Sequence, residues 1–222
     1  MSGAKVFCPL VRVTPSTLNQ NLSPVRVTRP RVTGYIINVK RRVPGYAIPN
    51  QTYFITTAIT ESTNIFLESP YAEIVLENLN FYLNKFQAQL HGYVIMPNHF
   101  HLLLTLGAIG NISQMIGQIK EYSAKQIIRL AEKNNQHELL AIFHNSAKKY
   151  RPEQKYQVWQ MRFDEFTINN HKTFQTKLNY IHNNPCNKGW KLAEKPEEYR
   201  YSSARFYFLD ENCEIEITPL IT

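Results

Sequence analysis

Two apolar runs meet at a two-residue junction in this chain, and that junction constrains the fold more than any other stretch. Gln89–Met96 (QLHGYVIM) and His99–Leu106 (HFHLLLTL) are rich in aliphatic and aromatic residues, and only Pro97 and Asn98 separate them. The pattern specifies two antiparallel strands joined by a tight turn. Side chains two apart on a strand share a face. His99 and His101 therefore project together, with Phe100 on the opposite side. The run Leu102–Leu104 implies burial, and neutral imidazoles in such a setting need partners. The pair is either incidental to the strand or half of a metal site that needs a further ligand from elsewhere.

The flanking segments supply the rest of a domain. Thr52–Thr60 (TYFITTAIT) reads as a strand. Pro70 opens a helix whose apolar positions Ile74, Leu76, Leu79, Tyr82, Leu83 and Phe86 have helical spacing. Asn111 or Ser113 can cap a long helix through Ile116, Ile119, Ile127, Ile128 and Leu130. Residues 134–156 are polar, with a short helical piece around Leu139–Phe143. A fourth strand is expected around Tyr156–Arg162. Asn170 can then cap a helix from His171 to about Asn183, which Pro185 ends, and PEEYRYSSARFYF can add a short helix. The order predicts an α+β, ferredoxin-like βαββαβ fold: one antiparallel sheet, helices on one face and an extra C-terminal helix. The other face is left free for a ligand.

Charge divides the chain differently. Residues 1–42 carry Lys5, Arg12, Arg26, Arg29, Arg31, Lys40, Arg41 and Arg42, and the first acid is Glu61. The net charge of +8 is thus carried by this arm, and the remainder is neutral. A basic arm on a neutral body suits a polyanion, although a solvated tail without a partner has the same composition. The tripeptide RVT recurs at Arg12–Thr14, Arg26–Thr28 and Arg31–Thr33 with unequal spacing, so it is no solenoid repeat. With its prolines, the segment reads as an extended or disordered arm over residues 1–50, ahead of a domain at 51–208 and a tail at 209–222. Cys8, Cys186 and Cys213 are odd in number and far apart, which argues against a disulfide framework. No run approaches a membrane span, and the N-terminus lacks an apolar signal core. A cytoplasmic protein is the expectation.

The second stretch with chemical content is LNYIHNNPCNKGW, Leu178–Trp190. Tyr180 and Asn184 are four apart near a helix end and share one helical face. The Asn184 amide oxygen can complete a metal site with the two histidines, and Tyr180 would then hold its phenol beside the metal. Taken singly, Tyr180 reads as a helix tyrosine packed on the sheet and Asn184 as a helix-ending residue before proline. His91 and His182 read as structural. Trp159, Arg162 and Phe163 are candidates to stack on or clamp a nucleic acid, with core packing as the competing role for the rings. Lys148, Lys149, Arg151 and Lys155 form a local basic patch.

MPNHFHLLL resembles the His-hydrophobic-His motif of the IS200-type single-tyrosine (HUH) transposases. VWQMRFDEFTI, NYIHNNPCNKGW and EEYRYSSA are similar to the REP-associated tyrosine transposases within that group. The resemblance covers roughly residues 50–208. It implies a transposase acting on single-stranded DNA with hairpins, as monomer or homodimer. It further implies His99, His101 and Asn184 as ligands of Mg²⁺ or Mn²⁺. The extra helix becomes the catalytic one, with Tyr180 as nucleophile forming a 5′-phosphotyrosine link. Imidazole and amide ligands suit Mn²⁺ somewhat better. Two rival readings remain: a non-catalytic module that only binds hairpins, and a metal-dependent hydrolase of small phosphodiesters.

Overall fold

The structure is a computed structural model and describes residues 50–108 and 111–220; the basic arm lies outside the described residues. Strand β1 (Thr52–Ala58) is followed by two short 3-10 turns and helix α1 (Ser69–Lys85). Strands β2 (Gln89–Met96) and β3 (His99–Thr105) form the expected hairpin around Pro97 and Asn98. Helices α2 (Ile112–Lys133) and α3 (His137–Tyr150), strand β4 (Asp164–Ile168), and helices α4 (His171–Asn183) and α5 (Ala204–Leu209) complete the chain. The four strands form one sheet in the order β2-β3-β1-β4, with every neighbouring pair antiparallel. This is the expected α+β arrangement.

Local chemistry accounts for most element ends. Pro70 sits in the first turn of α1, where a missing N–H costs nothing. Asn111 caps α2, its side-chain oxygen accepting from Gln114 N at 2.8 Å. Asn170 caps α4 in the same way, accepting from Thr173 N at 2.9 Å.

The two sheet faces bury different clusters. Ile55, Ile95, Phe100, Leu102 and Leu104 point toward α1, α2 and α3, joined by Leu79, Ile119 and Phe143. Phe54, Val94, Met96 and Leu103 point the other way and pack on Phe174, Leu178 and Ile181 of α4. Helices therefore lie on both faces, with α4 on the second and Tyr207 of α5 packed against the same cluster. Gly92 in β2 makes room for α4: a Cβ there would meet Leu178 Cδ1 at 2.7 Å.

Two expectations are revised. The fourth strand is Asp164–Ile168 rather than Tyr156–Arg162. Val158 and Trp159 instead turn into the core, making only an isolated bridge at Ile59. Lys120 Nζ donates to Gln160 O at 2.6 Å, holding this segment against α2. Next, the polar stretch after α2 is a 14-residue helix, α3, anchored by Phe143 and Ala147 rather than by a short helical piece. Residues 210–220, read as a tail, also bring Ile215 and Ile217 into the core. Thr218 N donates to Leu90 O at 2.8 Å, Ile95 N to Tyr201 O at 2.8 Å and Ser203 N to Tyr93 O at 3.0 Å, so the outer edge of β2 is partly covered.

Candidate active site

The sheet register places His99 and His101 on the α4 side, beside Phe54 and Thr56. His101 is directly opposite Thr56 on β1 and Val94 on β2, and His99 is opposite Ala58 and Met96. Their rings are 4.8 Å apart, centroid to centroid, at 76°. His99 is half-buried and His101 only 4% exposed. Burial pushes His99 down to about 4. Burial, followed by the neighbouring His99 and Lys177, pushes His101 down to about 3. Both are neutral imidazoles at neutral pH.

Hydrogen bonds orient both rings. Asn98 Nδ2 donates to Ser62 O at 3.0 Å, which leaves Asn98 Oδ1 to accept from His99 Nδ1 at 2.7 Å. In the neutral ring that fixes the proton on Nδ1 and the lone pair on Nε2. Asn98, read from sequence as a turn residue, thus also sets a tautomer. His101 Nδ1 lies 2.8 Å from Thr56 Oγ1. Donation to that hydroxyl leaves Nε2 as a bare lone pair, and Nε2 is buried without any hydrogen-bond partner.

Helix α4 brings Tyr180 to this pair within the same chain. The Tyr180 ring is 45% exposed and sits 5.1 Å from that of His101 and 6.0 Å from that of Phe54. Phe54 itself stacks on His101 at 5.3 Å. Asn184 continues the helical path with φ −57° and ψ −46°, so the four-residue spacing keeps it one turn beyond Tyr180 on the same side. Its side chain is buried, with Nδ2 unpartnered.

The other two buried histidines, His91 and His182, are held in structural hydrogen bonds. His91 is held at both nitrogens, Nδ1 2.6 Å from Thr218 O and Nε2 2.7 Å from Thr105 Oγ1. His182 Nε2 lies 2.9 Å from Ser203 Oγ in the seam beneath α5.

The candidate nucleic-acid contacts scatter. Trp159 is a correction: it is 5% exposed, packs on Phe66 and Phe100, and its Nε1 donates to Ser123 Oγ at 3.1 Å. Its ring cannot reach a base without leaving the core. Arg162 is exposed near the first 3-10 turn, beside the His99 end of the sheet. Lys148, Lys149, Arg151 and Lys155 lie on and after α3, which packs on the sheet face away from His101. Lys149 Nζ is 3.6 Å from Glu61 and Lys155 Nζ 3.8 Å from Glu132. Arg151 and Lys155 line a groove of about 730 Å³ along α2. The structure therefore does not gather these cations around the histidines.

Sequence reasoning missed Phe54, Thr56, Lys177 and Trp190. Trp190 lies 6.0 Å from His99. Phe54 and Thr56 become site residues only through the β1–β3 register, which sequence does not display. Lys177 had a readable signal, since it stands three residues before Tyr180 on a capped helix.

The chain matches the family model described as Transposase IS200 like over residues 48–184. Among solved structures it is similar to a REP-associated tyrosine transposase bound to a REP hairpin. That match has 18% identity and a TM-score of 0.56, covering 82% of this chain and 94% of the other. It is also similar to a putative transposase from Deinococcus radiodurans R1, at 19% identity and a TM-score of 0.37, over 64% of this chain and 96% of that one. No curated protein matches.

Proposed function

Because the chain belongs to the IS200-like transposase family, we propose that it nicks hairpin-bearing single-stranded DNA and transfers the strand, with Tyr180 as its nucleophile. The observation that carries this reading is the exposed Tyr180 ring 5.1 Å from His101, whose buried Nε2 has no partner. A buried ring nitrogen without a partner is costly, and that cost is understandable where an external group completes the site. Hairpin DNA as substrate is supported by the REP-hairpin complex of the structural relative. No helix among the described residues is long and apolar enough to cross a membrane.

The donor set fits a divalent cation such as Mg²⁺ or Mn²⁺. His99 and His101 offer Nε2 lone pairs fixed by bonds at Nδ1. Rotating the Asn184 amide about its last bond exchanges the unpartnered nitrogen for the carbonyl oxygen, at no change in shape. Bound there, the ion would neutralise charge on the scissile phosphate. The chain's own residues do the rest. Thr56 and Asn98 hold the imidazoles in the ligating tautomer. Phe54 packs against both His101 and Tyr180 and limits the reach of the phenol. Tyr180 attacks phosphorus, forming the phosphotyrosine bond as the bond to the 3′-oxygen breaks. Another 3′-hydroxyl can reverse the step, which preserves the bond energy for strand transfer. His101 and Tyr180 of one chain already meet, so the proposed site needs no second copy.

The test is a denaturing gel after incubation with hairpin oligonucleotides and Mn²⁺. Wild type should form a covalent DNA adduct and Tyr180→Phe none. An adduct that persists in the variant overturns Tyr180 as nucleophile. Hairpin binding without any adduct in wild type would instead favour a hairpin-binding module, and turnover with water without an adduct a hydrolase.

A further inference from the structure

Lys177 stands one turn before Tyr180 on α4 and is half-buried. Its Nζ lies 4.4 Å from the ring centroid of Phe54, 5.2 Å from that of Phe166 and 5.9 Å from that of Tyr180. A lysine near a helix surface ordinarily extends its head to water or to a carboxylate. This one rests over aromatic rings beside the candidate nucleophile, an arrangement that holds a cation electrostatically. It makes no ion pair among the described residues, and its head rests over rings instead. Asp164 occupies the same sheet face, opposite Thr56, and is not paired with it either. The result is a positioned, unneutralised cation next to the place where a phosphate must come.

We propose that Lys177 is a catalytic residue of strand cleavage, donating to a non-bridging oxygen of the scissile phosphate beside Tyr180. This inference rests on the transposase reading. In the forward step the Tyr180 oxygen bonds to phosphorus and its phenolic proton passes to solvent. The bond to the 3′-oxygen breaks, and that oxygen takes the electron pair and a solvent proton. Negative charge on the phosphoryl oxygens must be neutralised throughout, and Lys177 supplies a fixed positive charge for it. In the reverse step the phenolate leaves, and the same cation, 5.9 Å from the ring, favours its departure. The competing role is packing, in which the aliphatic stem covers Phe54 and the charge is idle.

Two variants separate these roles. Lys177→Met keeps the stem and removes the charge, and Lys177→Arg keeps a charge. Single-turnover adduct formation is measured with saturating hairpin oligonucleotide and Mn²⁺, on a phosphodiester and on a charge-neutral methylphosphonate at the scissile position. The methionine variant should form adduct about 100-fold more slowly on the phosphodiester, with hairpin affinity and Tm close to wild type, and arginine should recover much of the loss. The penalty for removing the lysine should shrink on the methylphosphonate, because the charge it neutralises is gone. A methionine variant within about threefold of wild type overturns the proposal, and so does an equal penalty on both substrates, since a packing defect would not sense phosphate charge. Wild type that binds hairpins and forms no adduct overturns the transposase reading and this inference together. Wild type that forms adduct beside an undiminished methionine variant overturns the inference alone.

Discussion

Phe100 and His101 are neighbours in β3 and face opposite ways, and the chain treats their two sides of the sheet differently. On the Phe100 side, α1, α2 and α3 seal a continuous apolar cluster. On the His101 side α4 packs through Phe174, Leu178 and Ile181, with Tyr199 and Tyr207 against the same cluster, and leaves Tyr180 exposed. The first side bonds Trp159 Nε1 to Ser123 Oγ and leaves Thr57 Oγ1 and Gln157 Oε1 buried without a partner beneath its helices. The second leaves His101 Nε2 and Asn184 Nδ2 buried and unpartnered. Both faces hold unsatisfied groups, but on the second His101 stands beside the exposed Tyr180, where an external ligand can complete it.

The adjacent pair gives the largest contrast. Phe100→Ala empties a fully buried ring site and should cost about 3–5 kcal/mol in urea unfolding, while the folded fraction still forms adduct. His101→Leu should abolish adduct formation and leave stability unchanged or slightly raised, because a buried nitrogen without a partner disappears. If the histidine change destabilises as much as the phenylalanine change, the contrast between the faces fails.

A subtler change addresses the tautomer. Thr56→Val removes the Nδ1 partner of His101 and nearly preserves volume. Titrating Mn²⁺ against the variant should show about 10–100-fold weaker binding. Unchanged affinity would mean the hydroxyl does not orient the ring.

The two faces were not equally legible in the sequence. The hairpin, α1, the Asn111 and Asn170 caps and the His99/His101 pairing follow from period-2 alternation, capping chemistry and a proline turn, all local signals. Helical spacing also put Tyr180 and Asn184 on one side of α4, and the structure sets the Tyr180 ring beside His101. β4 was missed because an edge strand is mostly solvated, so DEFTI begins with two acids while the more apolar KYQVW belongs to a loop folded into the core. Trp159 was left between two roles, since an aromatic residue reads alike whether it faces a base or a core, and it takes the core one. Phe54, Thr56 and Trp190 are site residues only by tertiary contact, and no local pattern encodes that.

Histidines that serve structure should show themselves in acid. His182 is pushed down to about 4 by burial, and burial also lowers His91, outweighing its bond to Thr218. Their unfolded counterparts protonate near 6.5. Below that pH the unfolded chain binds protons that the folded chain refuses, so stability is lost as pH falls from about 6.5 toward 4. Tm should decline across this window, and His182→Gln should flatten part of the decline. A Tm profile of equal slope in the variant would remove His182 as a contributor.

The smallest effect is expected at the basic patch on α3. Lys148 and Lys149 are exposed, Lys149 is partly neutralised by Glu61, and their helix covers the face away from His101. DNA engaged at Tyr180 meets the other face, so α3 can touch at most the far end of a hairpin stem. Lys148→Ala combined with Lys149→Ala should leave adduct formation unchanged. It should lower the salt slope of hairpin binding by no more than about one, the contribution of roughly one phosphate contact. A larger drop would mean that the stem crosses α3, and that the side of the sheet sealed for stability also takes part in binding DNA.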